Sequence, residues 1–263
     1  MFGRKVSLQI GPDGGAGKDF SGFRVRFRVE MNRKSTPNKA TVEAYNLAPD
    51  SISLFQAPGA VVRVLAGYDA PMQIFRGSPV KAGVLVQREG PDRVLHVEAQ
   101  DGGAEWSKRV NLSYATDTTS AQIVTDLAAA LGVPVGLIES GTAFSLSQGV
   151  VLTGPASGAL DRLCLSLGLR WYIRDGALVV ASGSTGELAV CFSSVTGNLI
   201  GSPQRTKEGV EITGLLAPTL RPGKPFRVIS EEVNGDFVCD SLVFQGDSGW
   251  DRDFYVVAKG VPV

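Results

Sequence analysis

Residues 23–50 read FRVRFRVEMNRKSTPNKATVEAYNLAPD. Phe23, Val25, Phe27 and Val29 alternate with Arg24, Arg26, Arg28 and Glu30. A strict period of two predicts a strand with one buried and one solvated face. Val42 and Ala44 resume the pattern in a following strand that runs towards Tyr45. Pro49-Asp50-Ser51 then opens a short helical turn with Ile52 and Phe55 on one side.

Upstream, Val6, Leu8 and Ile10 alternate with polar residues. Downstream, strands are expected at 61–68, 73–75, 80–88 and 93–99. Six or seven strands and one short helix in about 100 residues suggest a small barrel or sandwich.

The pattern changes after Asp101-Gly102-Gly103. Ile123, Leu127 and Leu131 recur every four residues, so a helix is expected over 118–131, with Thr118 or Thr119 as N-cap and Gly132 as C-cap. A second helix is expected over 157–167, with Leu160, Leu163 and Leu167 on one face. A hairpin follows: Leu169, Trp171 and Ile173 alternate, Asp175-Gly176 turns the chain, and Leu178 and Val180 return. Residues 182–186 (SGSTG) read as a connector. Strands resume at 210–215, 226–230, 237–244 and 254–258, with Asn234-Gly235 as a hairpin turn. The expected fold is therefore mainly β with a small α+β middle domain. The divisions are 1–101 for an N-terminal β domain, 102–182 for the α+β domain and 183–263 for a second β domain, which could be the same kind of barrel as the first.

Composition agrees with this reading. Of 263 residues, 43% are apolar, enough for a core. The 32 glycines and 14 prolines are spread along the chain, as many tight turns require. Lys+Arg and Asp+Glu both number 26, so no global basic field attracts nucleic acid or membrane. Cys164, Cys191 and Cys239 form no CxxC pair and are expected as buried thiols, not a disulfide framework or zinc site. No signal-peptide core or membrane-spanning apolar run is read, so folding in a cytoplasm is expected.

Several motifs invite a chemical reading. Gly11–Lys18 (GPDGGAGK) resembles a phosphate loop, but Pro12 stands where the first glycine belongs and Asp19 where a hydroxyl should bind magnesium. A hairpin turn is expected instead. Gly246-Asp247-Ser248-Gly249 resembles a serine-protease nucleophile motif, with His96 upstream, but Trp250 replaces the next glycine and no oxyanion hole is evident. His96 has no second metal-ligating residue at useful spacing and reads as a strand histidine in a polar contact. Asp247, Asp251 and Asp253 could cluster for a cation or glycosidase chemistry, and otherwise form a solvated loop. Trp106, Trp171 and Trp250 are too scattered for a stacking platform. Arg24, Arg26 and Arg28 share one strand face, with Arg33 and Lys34 following; these five are the candidate interface or channel residues. No catalytic residue, cofactor or metal site is assigned.

Residues 27–50 resemble the N-terminal barrel of phage tail baseplate hub proteins, which carry a "stPN.a.v..yNLs.d" passage before a short helix. Ile74-Phe75-Arg76-Gly77 is similar to that family's "iF.G.v" strand. Val151-Leu152-Thr153-Gly154 and Gly168-Leu169-Arg170-Trp171 resemble its middle domain. Residues 216–243 resemble the third domain of hubs like the late control protein D. Gln245 departs from the histidine that relatives often carry there.

The resemblance implies two tail-tube-like barrels flanking the middle domain, and a homotrimer that places six barrels in a ring. It also implies a hub that nucleates the tail tube, lines the DNA channel and adapts a sixfold tube to a threefold tip. The implied partners are a tail tube protein, a distal tail protein and tip or fibre proteins. DNA would pass through the lumen without sequence-specific binding. The implied location is the virion, after assembly in the bacterial cytoplasm. Ending at Val263, the chain is expected to lack a fibre or lysozyme module. The alternatives are a spike base of a related contractile injection or secretion system and, more remotely, a serine or carboxylate hydrolase.

Overall fold

The computed structural model describes residues 3–12, 14–15, 17–102, 106, 108–139, 148–249 and 253–263. The chain is mostly β, with 53% strand and 13% helix. Its first hundred residues form β1 (Arg4–Pro12), β2 (Lys18–Asp19), β3 (Val25–Asn32), β4 (Lys39–Tyr45), α1 (Pro49–Gln56), β5 (Ala60–Tyr68), β6 (Met72–Glu89) and β7 (Asp92–Gln100). Next come β8 (Arg109–Tyr114), α2 (Ser120–Leu131), β9 (Val135–Ile138), β10 (Val150–Pro155), α3 (Ala156–Ser166), β11 (Arg170–Arg174) and β12 (Ala177–Ala181). The remainder supplies β13 (Cys191–Ser193), β14 (Gln204–Arg205), β15 (Val210–Leu215), β16 (Pro225–Ile229), β17 (Asn234–Asp247) and β18 (Phe254–Pro262).

Two compact units result. One comprises Met1–Asn32, Asn38–Gln100 and Ser184–Val263; the other comprises Arg33–Pro37 and Asp101–Gly183. The smaller unit thus takes in the middle of the chain from Asp101 to Gly183. The first and third segments, expected as separate barrels, lie in a single compact unit. Gly103, at the expected first boundary, lies outside the described residues. So do Met1, Phe2, Asp13 and Ala16 of the motifs near the N-terminus.

In the larger unit the main sheet runs β14-β15-β18-β17-β3-β4-β7-β6-β5-β1-β2, with β16 also pairing β17 and β13 pairing β16. The joint between the outer segments is antiparallel β17–β3, from Ser241↔Asn32 to Asp247↔Arg26. The alternation read from residues 23–30 explains the packing. Val25, Phe27 and Val29 enter the core, where they meet Phe244, Phe254 and Val256 of the third segment. Apolar side chains on one strand face leave water together, at roughly 1.5–3 kcal/mol for each fully buried large side chain.

Local departures have local causes. The expected strands 73–75 and 80–88 are one strand, β6, interrupted by a register shift between Pro79 and Val84. Asn234-Gly235 is not the hairpin turn. Asn234 already pairs with Ile229, so Ser230–Val233 makes the turn. It is held by Ser230 Oγ donating to the Val233 carbonyl and accepting from the Val233 N–H, each at 3.0 Å. A side chain that bonds its own turn outcompetes the Asn-Gly preference. Gly11–Lys18 is the expected hairpin, since Ile10 pairs with Lys18.

In the smaller unit, α2 starts where its cap dictates: Thr119 Oγ1 accepts from the Gln122 N–H. It ends at Gly132, whose φ of +71° a glycine takes without steric cost. Ile123, Leu127 and Leu131 pack against Leu160 and Leu163 of α3. Asp175 and Gly176, with φ of +53° and +82°, make the tight turn between β11 and β12. β9 joins β12 in parallel, and β8 pairs with β10; β8, β9 and β10 are not among the strands expected from the sequence. Trp106 and Trp171 do come together, with ring centroids 5.3 Å apart. Trp171 is buried, so the pair is core packing and not an open platform. Trp250 lies outside the described residues. Cys164 and Cys239 are buried as expected, whereas Cys191 is half-buried; all three are free thiols. Burial pushes the Cys164 thiol up to about 12, with Asp161 adding to the shift.

Candidate functional site

The face of β17, β3, β4 and β7 opposite the core is polar, because the residues between the apolar ones point there. Arg26, with its neighbours Asp247 on β17 and Glu43 on β4, forms one row across the sheet, and Glu43 faces His96 on β7. Arg28, between Gln245 and Thr41, forms the next row, and Thr41 faces Glu98. A shallow groove of about 320 Å³ lies along these rows, bounded by Arg26, Arg28, Glu43, Gln245 and Asp253.

Asp247 is the keystone. Its side chain is fully covered. Arg24 donates to it from Nη2 at 2.8 Å and from Nε at 3.3 Å, Arg26 from Nε at 3.4 Å, and the Gly249 N–H at 2.6 Å. Burial pushes this carboxyl up. The Arg24 hydrogen bonds, the Gly249 N–H and the charges of Arg24 and Arg26 outweigh burial and hold it below the usual carboxylate range. Arg26 also reaches Glu43 Oε2 at 3.2 Å, and Arg24 lies 4.6 Å from the centroid of the Tyr45 ring. Arg28 pairs with Glu30 at 2.7 Å and donates to Gln245 Oε1 at 3.0 Å.

The structure therefore unites three of the five candidate residues. Arg24, Arg26 and Arg28 lie on one face, each engaged by a carboxylate or amide. Arg33 does not join them. It is buried in the smaller unit, where Nη2 donates to the Gly183 carbonyl at 3.1 Å and the guanidinium lies 6.0 Å from the Tyr172 ring. Lys34 is exposed in that same unit. The strand ends at Asn32, so period-two alternation does not extend to either residue.

The chemical motifs resolve into structure. Asp247 was expected in a solvated loop and is instead fully covered at the end of β17, because two arginines neutralise it there. Ser248 Oγ accepts from the Val25 N–H at 2.8 Å and donates to the Phe23 carbonyl at 3.3 Å. Its hydroxyl thus holds the turn against β3. Asp253 accepts from Gln245 Nε2 at 2.7 Å. Asp251 lies outside the described residues. His96 sits between two carboxylates, with Nδ1 3.7 Å from Glu43 and Nε2 3.5 Å from Glu89. Among the described residues, no group of three His, Cys, Asp or Glu could hold a metal ion. No helix there is long and apolar enough to cross a membrane.

Sequence reasoning missed the role of Asp247, and the available signal was weak. Gln245 and Asp247 share a strand face by alternation, but only the β17–β3 pairing brings the arginine row opposite them.

A family model described as baseplate hub gp41 matches residues 5–260. A sequence search of curated proteins returns no match. Among solved structures, a 43 kDa tail protein of prophage MuSo2 from Shewanella oneidensis is similar, with a TM-score of 0.71 at 13% identity, covering 98% of each chain. A tail protein from Neisseria meningitidis matches with a TM-score of 0.67 at 13% identity, over 99% of this chain and 96% of that one. An Escherichia coli component of the type VI secretion system, itself similar to the T4 tail proteins gp27 and gp5, matches with a TM-score of 0.60 at 11% identity, over 97% of this chain and 76% of that one.

Proposed function

The chain belongs to the baseplate hub gp41 family, a structural family of phage tails, and from that premise we propose that three copies close into a ring whose polar sheet face lines the channel for DNA. The observation that carries this reading is the eight-strand run β14-β15-β18-β17-β3-β4-β7-β6 within one chain. It has two four-stranded halves, β14-β15-β18-β17 and β3-β4-β7-β6, which meet at the β17–β3 joint. In this reading each half serves as one tube-like element. Three copies then present six halves to a sixfold tube while keeping threefold symmetry towards the tip.

Closure needs open edges, and the run has them. Among the described residues, β6 pairs only with β7 from Val84 to Glu89, and at the far end β14 pairs only with β15. Exposed apolar side chains lie by both: Leu85 and Val86 on β6, and Ile200, whose N–H donates to the Thr213 carbonyl of β15, the partner of β14. Strand edges and apolar side chains of this kind are ordinarily protected by pairing.

The polar face suits a conduit. Arginines there are matched by Glu30, Glu43 and Asp247, so a duplex meets no continuous cationic track that would hold it. In this reading the ring nucleates the tail tube and contacts a distal tail protein and tip or fibre proteins. Assembly takes place in the host cytoplasm. A spike base of a secretion system is the second reading, favoured by the fold shared with the E. coli type VI component.

Stoichiometry tests the proposal. Electron cryo-microscopy of tails should count three copies at the tube's end, with β6 of one copy beside β14 of the next. Any other copy number, or a ring whose polar sheet face points outward, overturns it. Leu85→Glu should block ring closure while leaving the isolated chain folded.

A further inference from the structure

Beside the N-terminal strand β1 lies a cleft of about 440 Å³ between its free edge, the loop before β3 and the Ser248-Gly249 turn. We propose that this cleft receives an extended, acidic segment of a different protein, which adds to β1 as a strand.

The backbone pattern supplies the first ground. β1 pairs with β5 without interruption from Arg4↔Tyr68 to Pro12↔Ala60. In an antiparallel ladder, alternate residues turn their N–H and C=O away from the partner strand. Leu8 is one of these, since its carbonyl accepts from the Phe20 N–H at 2.8 Å on the side away from β5. Val6, two residues earlier, turns its N–H and C=O the same way. Among the described residues β2 pairs only with Gln9 and Ile10, so Val6, whose side chain is buried, has no strand beside its backbone there. Among the described residues, no backbone group meets Val6 on that side. The chain has already turned at Phe20–Phe23 to enter β3, and β3 does not pair with β1. The cleft is the interval so created. An added strand lies about 4.8 Å from the edge it joins.

Charge supplies the second ground. Among the described residues, the lining carries Arg4, Lys5 and Arg24 and no carboxylate. Arg24 is engaged by Asp247, and Arg4 lies over the Phe254 ring, 5.4 Å from its centroid. Lys5 is exposed, and Phe23 beside it is 41% exposed and offers an apolar contact. An extended segment with an acidic side chain opposite Lys5 and an apolar one over Phe23 matches both. Main-chain hydrogen bonds supply the affinity in such strand addition and side-chain contacts the choice of partner. The cleft lies beside β1, at the β5-β1-β2 end of the sheet path, and its lining includes no residue of the β6 or β14 edges assigned above to contacts between copies. The proposal rests on that reading only in reserving those edges.

The test compares intact tails with the isolated chain. Hydrogen exchange at the Val6 amide should slow by roughly tenfold or more in tails, as expected for an amide entering a ladder. Carbodiimide coupling should join the Lys5 amine to an Asp or Glu of another protein. Arg4→Glu with Lys5→Glu, in a chain that melts normally in isolation, should deplete that protein from tails. Equal Val6 exchange in both samples overturns the proposal. So does coupling of Lys5 only to another copy of this chain, or undiminished partner content in the charge-reversed tails. None of these results alters the copy number, so failure here is separable from failure of the hub reading.

Discussion

Asp247 and Arg24 stand 223 positions apart in the chain, yet the Arg24 guanidinium donates to the Asp247 carboxylate at 2.8 Å. The bond ties the end of β17 to the entry of β3 and so closes the joint between the first and third segments. Replacing Asp247 with Asn keeps the shape and removes the charge. Charge-assisted hydrogen bonds contribute about 1.5–3 kcal/mol each, so Asp247→Asn should lower stability by about that amount. The urea midpoint at pH 7 measures it.

Acid should loosen the same joint. The folded carboxyl of Asp247 is held below its usual range, as is that of Asp19. At Asp19, burial opposes the shift, and bonds from Gln9, the Ser21 N–H and Ser7 outweigh it. A carboxyl depressed in the folded state contributes stability that is complete above its unfolded value, about 3.9 for Asp. That contribution is lost as pH falls through the folded value. Melting temperature should therefore decline as pH drops below about 4, and less steeply in Asp247→Asn than in the native chain. Parallel declines in the two proteins would remove Asp247 as a cause.

Ser248 separates structure from chemistry. Its hydroxyl satisfies the Val25 N–H at 2.8 Å. Ser248→Ala should cost about 1 kcal/mol in chemical denaturation, the worth of one such bond. Loss of a measurable hydrolysis in this variant, with unchanged stability, would instead favour the hydrolase alternative.

Gly246 is fixed by crowding. A Cβ there would sit 2.6 Å from Phe27 Cζ and 2.9 Å from Phe254 Cδ2. Overpacking of this kind costs about 1–3 kcal/mol, so Gly246→Ala should destabilise by that much. Shortening the crowding ring with Phe27→Leu in the same chain should recover part of the loss in a double-mutant cycle.

The turn at Asp175-Gly176 tests the smaller unit. Gly176 has a φ of +82°, where a Cβ costs about 1–2 kcal/mol. Gly176→Ala should destabilise by that amount, while Asp175→Gly should be nearly neutral. Hydrogen exchange of the β11–β12 amides reads both.

Local grammar made much of the fold legible. Alternation from Phe23 to Glu30 marks a half-buried strand because a pleated backbone sends successive side chains to opposite faces. Thr119 and Gly132 bracket α2 because capping and left-handed geometry act within a few residues. The short strands β8, β9 and β10 are not among the expected elements: each has only four to six residues, and although Val110, Leu112 and Tyr114 alternate in β8 and Val150-Val151-Leu152 opens β10, such short stretches name no partner strand. Asn234-Gly235 misled because a seryl side chain four residues earlier holds the actual turn.

By itself, then, the sequence determined a strand-rich chain with a helical insert and an arginine-bearing strand face, since each depends on neighbours along the chain. Only tertiary structure decided that β17 lies beside β3, that Asp247 binds Arg24 and Arg26, that Arg33 leaves the row for the Ser182-Gly183 carbonyls, and that β1 keeps an open edge. Which strand pairs with which is a competition among all apolar faces and backbone edges at once. Period-two alternation marks a face to be buried without naming its partner.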